Sequence, residues 1–244
     1  AAAVFSAIAF ALAIVLITES ITPEQKSLAR VSRGFTAWRD AVRRPQTRLV
    51  LCLMFAPPFV FAGVEVIIVL WSERAWGWGP QQNGYFYAWM GLCHMALQWF
   101  VIGRLAARIG ERALITLGAL CLGAGVCWLP LASSYVELYA AALLMILGTS
   151  ANASSLSSLL SQYAGSASRG GVLGLGQTFA GSGRIAGPAL AGVAFASLGI
   201  DWPFFIGAMV MVVMALFSRA IAVRRAADIA APPPINLDAD RPGD

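Results

Sequence analysis

Residues 48–71 read RLVLCLMFAPPFVFAGVEVIIVLW, and between Arg48 and Trp71 they carry a single charge, Glu65. A run of this kind is long enough to cross the hydrocarbon core of a bilayer as a helix, which takes about 20 apolar residues at about 1.5 Å each. The rest of the chain agrees: 59% of its residues are hydrophobic and 12% charged, whereas soluble domains are about 25% charged. A charge at bilayer depth costs several kcal/mol, so charges are expected at the ends of such runs, where most of them are found. Further runs at 1–17, 84–103, 113–132, 135–160, 171–197 and 203–223 give an all-α integral membrane protein, a multi-span helical bundle.

The first run begins at Ala1 without a methionine or a basic segment before it. It is read as the remainder of a spanning helix in a truncated chain rather than as a signal-peptide core. Residues 18–47 form the longest polar connection, and Leu28, Val31, Phe35, Trp38 and Val42 fall at helical spacing within it. That pattern suits either an amphipathic helix on the membrane surface or a plain linker helix. Residues 48–223 hold six spans, and the proline-rich, acidic tail over 224–244 is expected to be disordered.

The net charge is +5, yet the position of the cations argues against nucleic acid, which is bound by patches on a soluble face. Lys26, Arg30, Arg33, Arg39, Arg43, Arg44 and Arg48 follow the first span, Arg104, Arg108 and Arg112 the third, and Arg169 the fifth, while Arg219, Arg224, Arg225 and Arg241 end the chain. The intervening connections hold Arg74 with Glu73, Glu137 and Asp201. Cations on alternate loops mark those loops, and the carboxyl terminus, as cytoplasmic; the membrane is expected to be a plasma membrane, the inner membrane of a bacterium. Cys52, Cys93, Cys121 and Cys127 all fall within spans and His94 is the sole histidine. That leaves neither a disulfide framework nor a metal site, and no cofactor is expected.

The stretch 103–112, GRLAARIGER, is a basic turn between two antiparallel spans. Gly103 and Gly110 permit close turning, and Arg104, Arg108 and Arg112 can stay in water, meet anionic headgroups or offset helix carbonyls. It resembles the cytoplasmic loop motif of the major facilitator superfamily in its weaker copy after the eighth span. Gly103, Arg108, Gly110 and Arg112 match that motif, while Ala107 stands where the family has an acid and Glu111 where it has a base. Three other segments resemble the family in the same order. ITESITPEQK at 17–26 is similar to the exit from the sixth span, and WGWGPQQNGYFYAWMGL at 76–92 to the outer loop before the eighth. SRGGVLGLGQTFAGSGRIAGPALAG at 168–192 is similar to the eleventh span of the drug:proton antiporter branch that includes tetracycline efflux proteins. The resemblance covers nearly everything up to residue 223. It implies half of a major facilitator fold, helices 6 to 12, with the amino-terminal half as a missing partner.

Ionisable groups inside spans are functional candidates. Glu65 and Arg184 lie at comparable depths on spans that run in the same direction, so they could pair, and the resemblance makes their helices neighbours. His94 and Gln98, four residues apart, share a helix face; the imidazole suits proton coupling, and an interhelical hydrogen bond is the competing role. Ser150, Ser154, Ser158 and Gln162 form a stripe suited to helix packing, with Asn152 and Gln177 as candidates for lining an aqueous path. Pro57, Pro58 and Pro188 interrupt helical hydrogen bonding, which suits bending helices in a rocking transporter and is also common in membrane helices at large. Trp71, Trp76, Trp78, Tyr85, Tyr87 and Trp89 suit an interfacial aromatic belt.

The expected function is transport rather than catalysis: a secondary transporter, coupled to protons, that exports small amphipathic compounds between its two halves. The absence of a GxxxxGKS/T motif agrees with gradient-driven transport. An importer of sugars, organic acids or other metabolites is the alternative. A membrane scaffold is disfavoured by Glu65, His94 and Arg184, and an intramembrane protease by the lack of any histidine after the AGSG at 180–183.

Overall fold

Helix α1, Pro45–Trp76, opens with proline at its first turn and closes on Gly77, whose φ of 65° lets the Trp78 N–H return to the Ser72 carbonyl at 3.2 Å. The computed structural model describes residues 43–164 and 169–221, with Ser6 and Phe10. The span expected at 1–17, apart from those two residues, the amphipathic positions Leu28 to Val42 and the tail lie outside the described residues. After α1 come α2 (Pro80–Leu97), continued by a π-helical turn at Gln98–Ile102, then α3 (Gly103–Trp128) and α4 (Tyr135–Tyr163). Helices α5 (Arg169–Ser197) and α6 (Trp202–Ser218) complete the bundle. These six cover the six spans expected between 48 and 223, although the last helix ends at Ser218 rather than at 223.

The turn in GRLAARIGER is tighter than its composition suggests. Gly103 is helical, and the helix continues to Ile109; the break falls on Gly110 alone, at φ 78° and ψ 160°. Few residues other than glycine adopt that backbone geometry. The chain reverses there: Ile102 and Leu114 share one buried cluster with Ala151 of α4, although in a straight helix they would stand about 18 Å apart. Glu111 and Arg112, just past the reversal, brace the new helix. Glu111 accepts hydrogen bonds from Gln162 at 2.8 Å and Ser158 at 3.3 Å on α4. Arg112 donates to the backbone carbonyl of Arg219 at the end of α6, and Thr116 meets Ser218 at 2.7 Å.

Helix α1 packs most extensively on α5, and α3 packs on α4 and α6. The α1–α5 crossing runs on small residues: a Cβ at Gly183 would stand 2.5 Å from the Phe55 carbonyl oxygen, and one at Gly187 would strike the backbone of Phe59. The Gly183–Gly187 spacing therefore marks a true close approach, as small-xxx-small spacings do between membrane helices.

At the end of the bundle opposite Arg104, Arg108 and Arg112 the aromatic residues pack inward. Trp71 is 2% exposed, donates Nε1–H to Asp201 at 2.9 Å and stands edge-on to Phe204. Trp78 and Tyr135 stack with ring centroids 6.1 Å apart, and Trp89 meets Tyr139 edge-on at 4.8 Å. Tyr85 is 65% exposed and fits the expected belt; Trp71 and Trp78 are core residues instead, because short connections press the helix ends together. The cysteines are all free; Cys52 is exposed and the other three are half-buried.

Two outcomes follow from these contacts. Gly183→Ala should destabilise the protein in detergent by about 1–3 kcal/mol through overpacking, whereas Gly91→Ala, with nothing within 4 Å of the added carbon, should not. Trp71→Phe should cost about 1–3 kcal/mol by stranding the Asp201 carboxylate. Thermal unfolding followed by size-exclusion chromatography measures both.

Candidate functional site

One face of the bundle carries an open cavity of about 600 Å³ between α1, α2, α4 and α5. Helix α1 presents Met54, Pro57, Pro58, Phe61, Glu65 and Val66 to it. From the other helices come His94, then Thr149, Leu156 and Ser157, and finally Gln177, Arg184 and Pro188. The walls are therefore apolar, with a carboxylate, a guanidinium, an imidazole and an amide set among them.

Each polar group arrives by helical periodicity. Pro58, Phe61, Ala62 and Glu65 fall on one stripe of α1, and Gln177, Ala180, Arg184 and Pro188 on one stripe of α5. The crossing at Gly183 and Gly187 brings the two stripes side by side. Pro58 and Pro188 have no N–H, which leaves the carbonyls of Met54 and Arg184 without their usual helical donors beside the cavity. Both helices nonetheless run unbroken through their prolines.

Glu65 and Arg184 are both exposed to this space, and among the described residues no ion pair within 4.0 Å joins them. The pairing open to them by depth alone is thus not made. Each charge remains available to a ligand. A second hollow of about 840 Å³ shares Phe61, Glu65, Val66 and His94 with the first and adds Tyr87, Gln98 and Trp99. The Tyr87 hydroxyl donates to the Glu65 backbone carbonyl at 2.6 Å, which ties α2 to α1 beside the carboxylate. The π-helical turn begins at Gln98, directly after the His94 face; such turns often occur at functional positions.

Of the residues singled out in the sequence, Glu65, His94, Gln177 and Arg184 meet in one cavity, and Gln98 lies in the adjoining hollow. Asn152 does not join them. It is fully buried against α3, its amide donates to the Gly148 carbonyl at 2.9 Å, and it stands where a side chain at Gly118 would be. The reason is angular: Asn152 lies on the stripe of α4 that holds Gly148 and Ser155, whereas the cavity stripe holds Thr149, Ala153, Leu156 and Ser157. Thr149 and Ser157 escape a reading by spacing, because the four-residue serine repeat marks the neighbouring face. Of that repeat, Ser150 is buried, while Ser158 and Gln162 hold Glu111. Tyr87 suits the belt by its place in the sequence, and its spacing from Glu65 holds no clue to their contact.

In the loop motif, Gly103 and Arg104 belong to the helix before the turn, and Arg104 donates to the Phe100 carbonyl within the π-helical turn. Arg108 is exposed one turn later, Gly110 makes the reversal and Arg112 ties α3 to α6.

The sequence matches the profile of the Major Facilitator Superfamily over residues 59–239. Multidrug resistance protein 2 of Bacillus subtilis (strain 168) is 24% identical over 216 residues, which cover 87% of this chain and 53% of that protein. Tetracycline resistance protein, class B, of Escherichia coli is 31% identical over 70 residues, 29% of this chain and 18% of that protein. The fold is similar to that of the human organic anion transporter MFSD10 (TETRAN), with a TM-score of 0.67 and 20% identity over 80% of this chain and 46% of that one. The chain thus spans about half the length of multidrug resistance protein 2 and of the human transporter. With its apolar helices and this profile match across most of its length, the chain is a multi-pass membrane protein and belongs to the major facilitator superfamily.

Proposed function

We propose that the chain is the carboxyl-terminal half, helices 6 to 12, of a secondary transporter that exports small amphipathic compounds in exchange for protons. The observation that carries this reading is the cavity in which Glu65, His94, Gln177 and Arg184 stand among apolar walls without neutralising one another. A ligand with an apolar body and one or two polar groups matches such a surface: the walls take the body and the unpaired charges fix its orientation. His94 and Glu65 both line the space, so proton uptake and ligand binding can compete there, as exchange requires. The names of the two curated relatives support drug export among the possible substrate classes.

The exposed apolar faces on either side of the cavity support a missing half. Met95 on α2 and Trp99 and Phe100 in the π-helical turn after it are 57%, 79% and 62% exposed, and Ile185 on α5 is 79% exposed. An amino-terminal bundle seated on these faces would close the cavity, and rocking of one half against the other would open it to each side in turn. The basic end of the bundle, with Arg48, Arg104, Arg108, Arg112 and Arg219, would face the cytoplasm of a bacterial inner membrane, which also puts the carboxyl terminus inside.

In inverted vesicles carrying the full-length transporter, a fluorescent cationic dye should move only while the proton gradient stands. Glu65→Gln should slow it by about tenfold or more, the size of one lost charge-assisted contact; coupled transport undiminished in a normally inserted variant would overturn the assignment. The cavity itself is tested by labelling. With the four native cysteines replaced, Ser157→Cys and Gln177→Cys should react with a membrane-impermeant thiol reagent in purified protein. Asn152→Cys, at 0% exposure, should remain unlabelled until the protein unfolds.

A further inference from the structure

On the far side of α1 from the cavity, a groove follows the seam between α1 and α6. Where the two helices cross, Val60 packs on Gly207; from there they diverge toward the basic end and leave a cleft of about 430 Å³. Its walls include Leu49, Cys52, Ala56, Val213 and Phe217, and Arg48 stands at its mouth. The stripe of α1 that lines it lies about half a turn round the helix from Met54, Phe61 and Glu65. An amino-terminal half covering the cavity therefore leaves this groove facing the membrane.

We infer that this groove is a binding site for one anionic phospholipid of the cytoplasmic leaflet, with an acyl chain along the α1–α6 cleft and the phosphate on Arg48. Three observations carry it, taking the basic end as the cytoplasmic one. The first is length. From Arg48, at headgroup level, to Ala56 the cleft extends about 12 Å along the helix axis, most of the about 15 Å of hydrocarbon in one leaflet. The second is exposure: Val213 and Phe217, which line the cleft, are 45% and 58% exposed, so this wall is open to a chain entering from the bilayer. The third is charge. Arg48 is exposed at the level where headgroups lie, and its guanidinium can hold a phosphate through two parallel hydrogen bonds.

The same seam supplies an internal comparison. Beyond the crossing it widens into a second cleft of about 330 Å³ toward the aromatic end, lined by Gly63, Leu190, Ala194, Ile206 and others; Val210 is common to both clefts. That outer cleft has no cation, and Ser197 is its sole polar side chain. Apolar walls alone accept any acyl chain. Only the inner cleft couples such a wall to a positive charge, so headgroup selectivity is confined to it.

The whole chain, reconstituted in vesicles of equal phosphatidylglycerol and phosphatidylcholine and released into mild detergent, tests this by native mass spectrometry. The retained lipid should be one phosphatidylglycerol per chain, enriched about fivefold over phosphatidylcholine, the preference expected for one cation at an anionic headgroup. Arg48→Gln should bring the two lipids to parity, Arg48→Lys should keep most of the enrichment, and Arg108→Gln, outside the groove, should keep all of it. Ala56→Leu should weaken retention of either lipid. Parity in the unaltered chain, enrichment that survives Arg48→Gln, equal loss in Arg108→Gln, or a lipid-free dimer in place of the lipid-bound monomer would each overturn the site.

Discussion

Helices in a bilayer gain little by hiding apolar side chains from one another, because lipid tails are already apolar. Their association rests on close packing. In this bundle the requirement is met most tightly where α1 crosses α5, with Gly183 and Gly187 admitting the backbone of Phe55 and Phe59. The site depends on that crossing. Glu65 and Arg184 lie on different helices and share a cavity only because the two backbones approach closely enough to set their polar stripes side by side. Glycine performs the same service where α3 meets α4 through Gly118, Gly125 and Gly148, so the bundle is clamped at two crossings and left open along the face between them.

The two ends of the bundle are finished differently. At the basic end the connections are held by hydrogen bonds to charged side chains: Glu111 takes two donors from α4, and Arg112 reaches the Arg219 carbonyl at the end of α6. This gives a reason for the departure of GRLAARIGER from the family pattern. An acid at position 111 finds two donors, Ser158 and Gln162, inside its own half. At the other end, Phe86, Trp89 and Tyr139 interlock between α2 and α4 while Trp71 of α1 stands edge-on to Phe204 of α6, and buried polar contacts among the described residues are few, such as Ser72 with Asn83 and Trp71 with Asp201.

Polarity inside the membrane has taken two forms in this chain. Asn152 and the serines near it are buried against small residues and act within the packing of α3 on α4. Glu65, His94, Gln177 and Arg184 are left facing an open space. The distinction bears on the proposed export, since charges neutralised by one another would offer nothing to a ligand, whereas unpaired ones are open to water, substrate or proton. Opposite faces of α1 also serve opposite environments. Its polar stripe turns toward the cavity, and its apolar stripe, ending in Arg48, turns toward the α1–α6 cleft proposed to hold lipid.

Much of this could be read in the residues alone. Apolar runs of spanning length, interrupted by Gly and Pro and bounded by arginines, fix the number of described helices and their alternating direction, because a bilayer permits few other arrangements. They also single out the ionisable residues, since burial in lipid selects against charge without purpose. The angular position of a side chain about its helix is what linear spacing left open. Thr149 and Asn152 stand three residues apart on α4, yet one lines the cavity and the other fills a packing seam, and which face is which depends on the helices that pack against it. The same holds for the unpaired state of Glu65 and Arg184, for the contact of Tyr87 with Glu65, and for the single-residue reversal at Gly110. These are consequences of how neighbouring helices cross, and crossing geometry is set by the sum of many side-chain contacts rather than by any one segment.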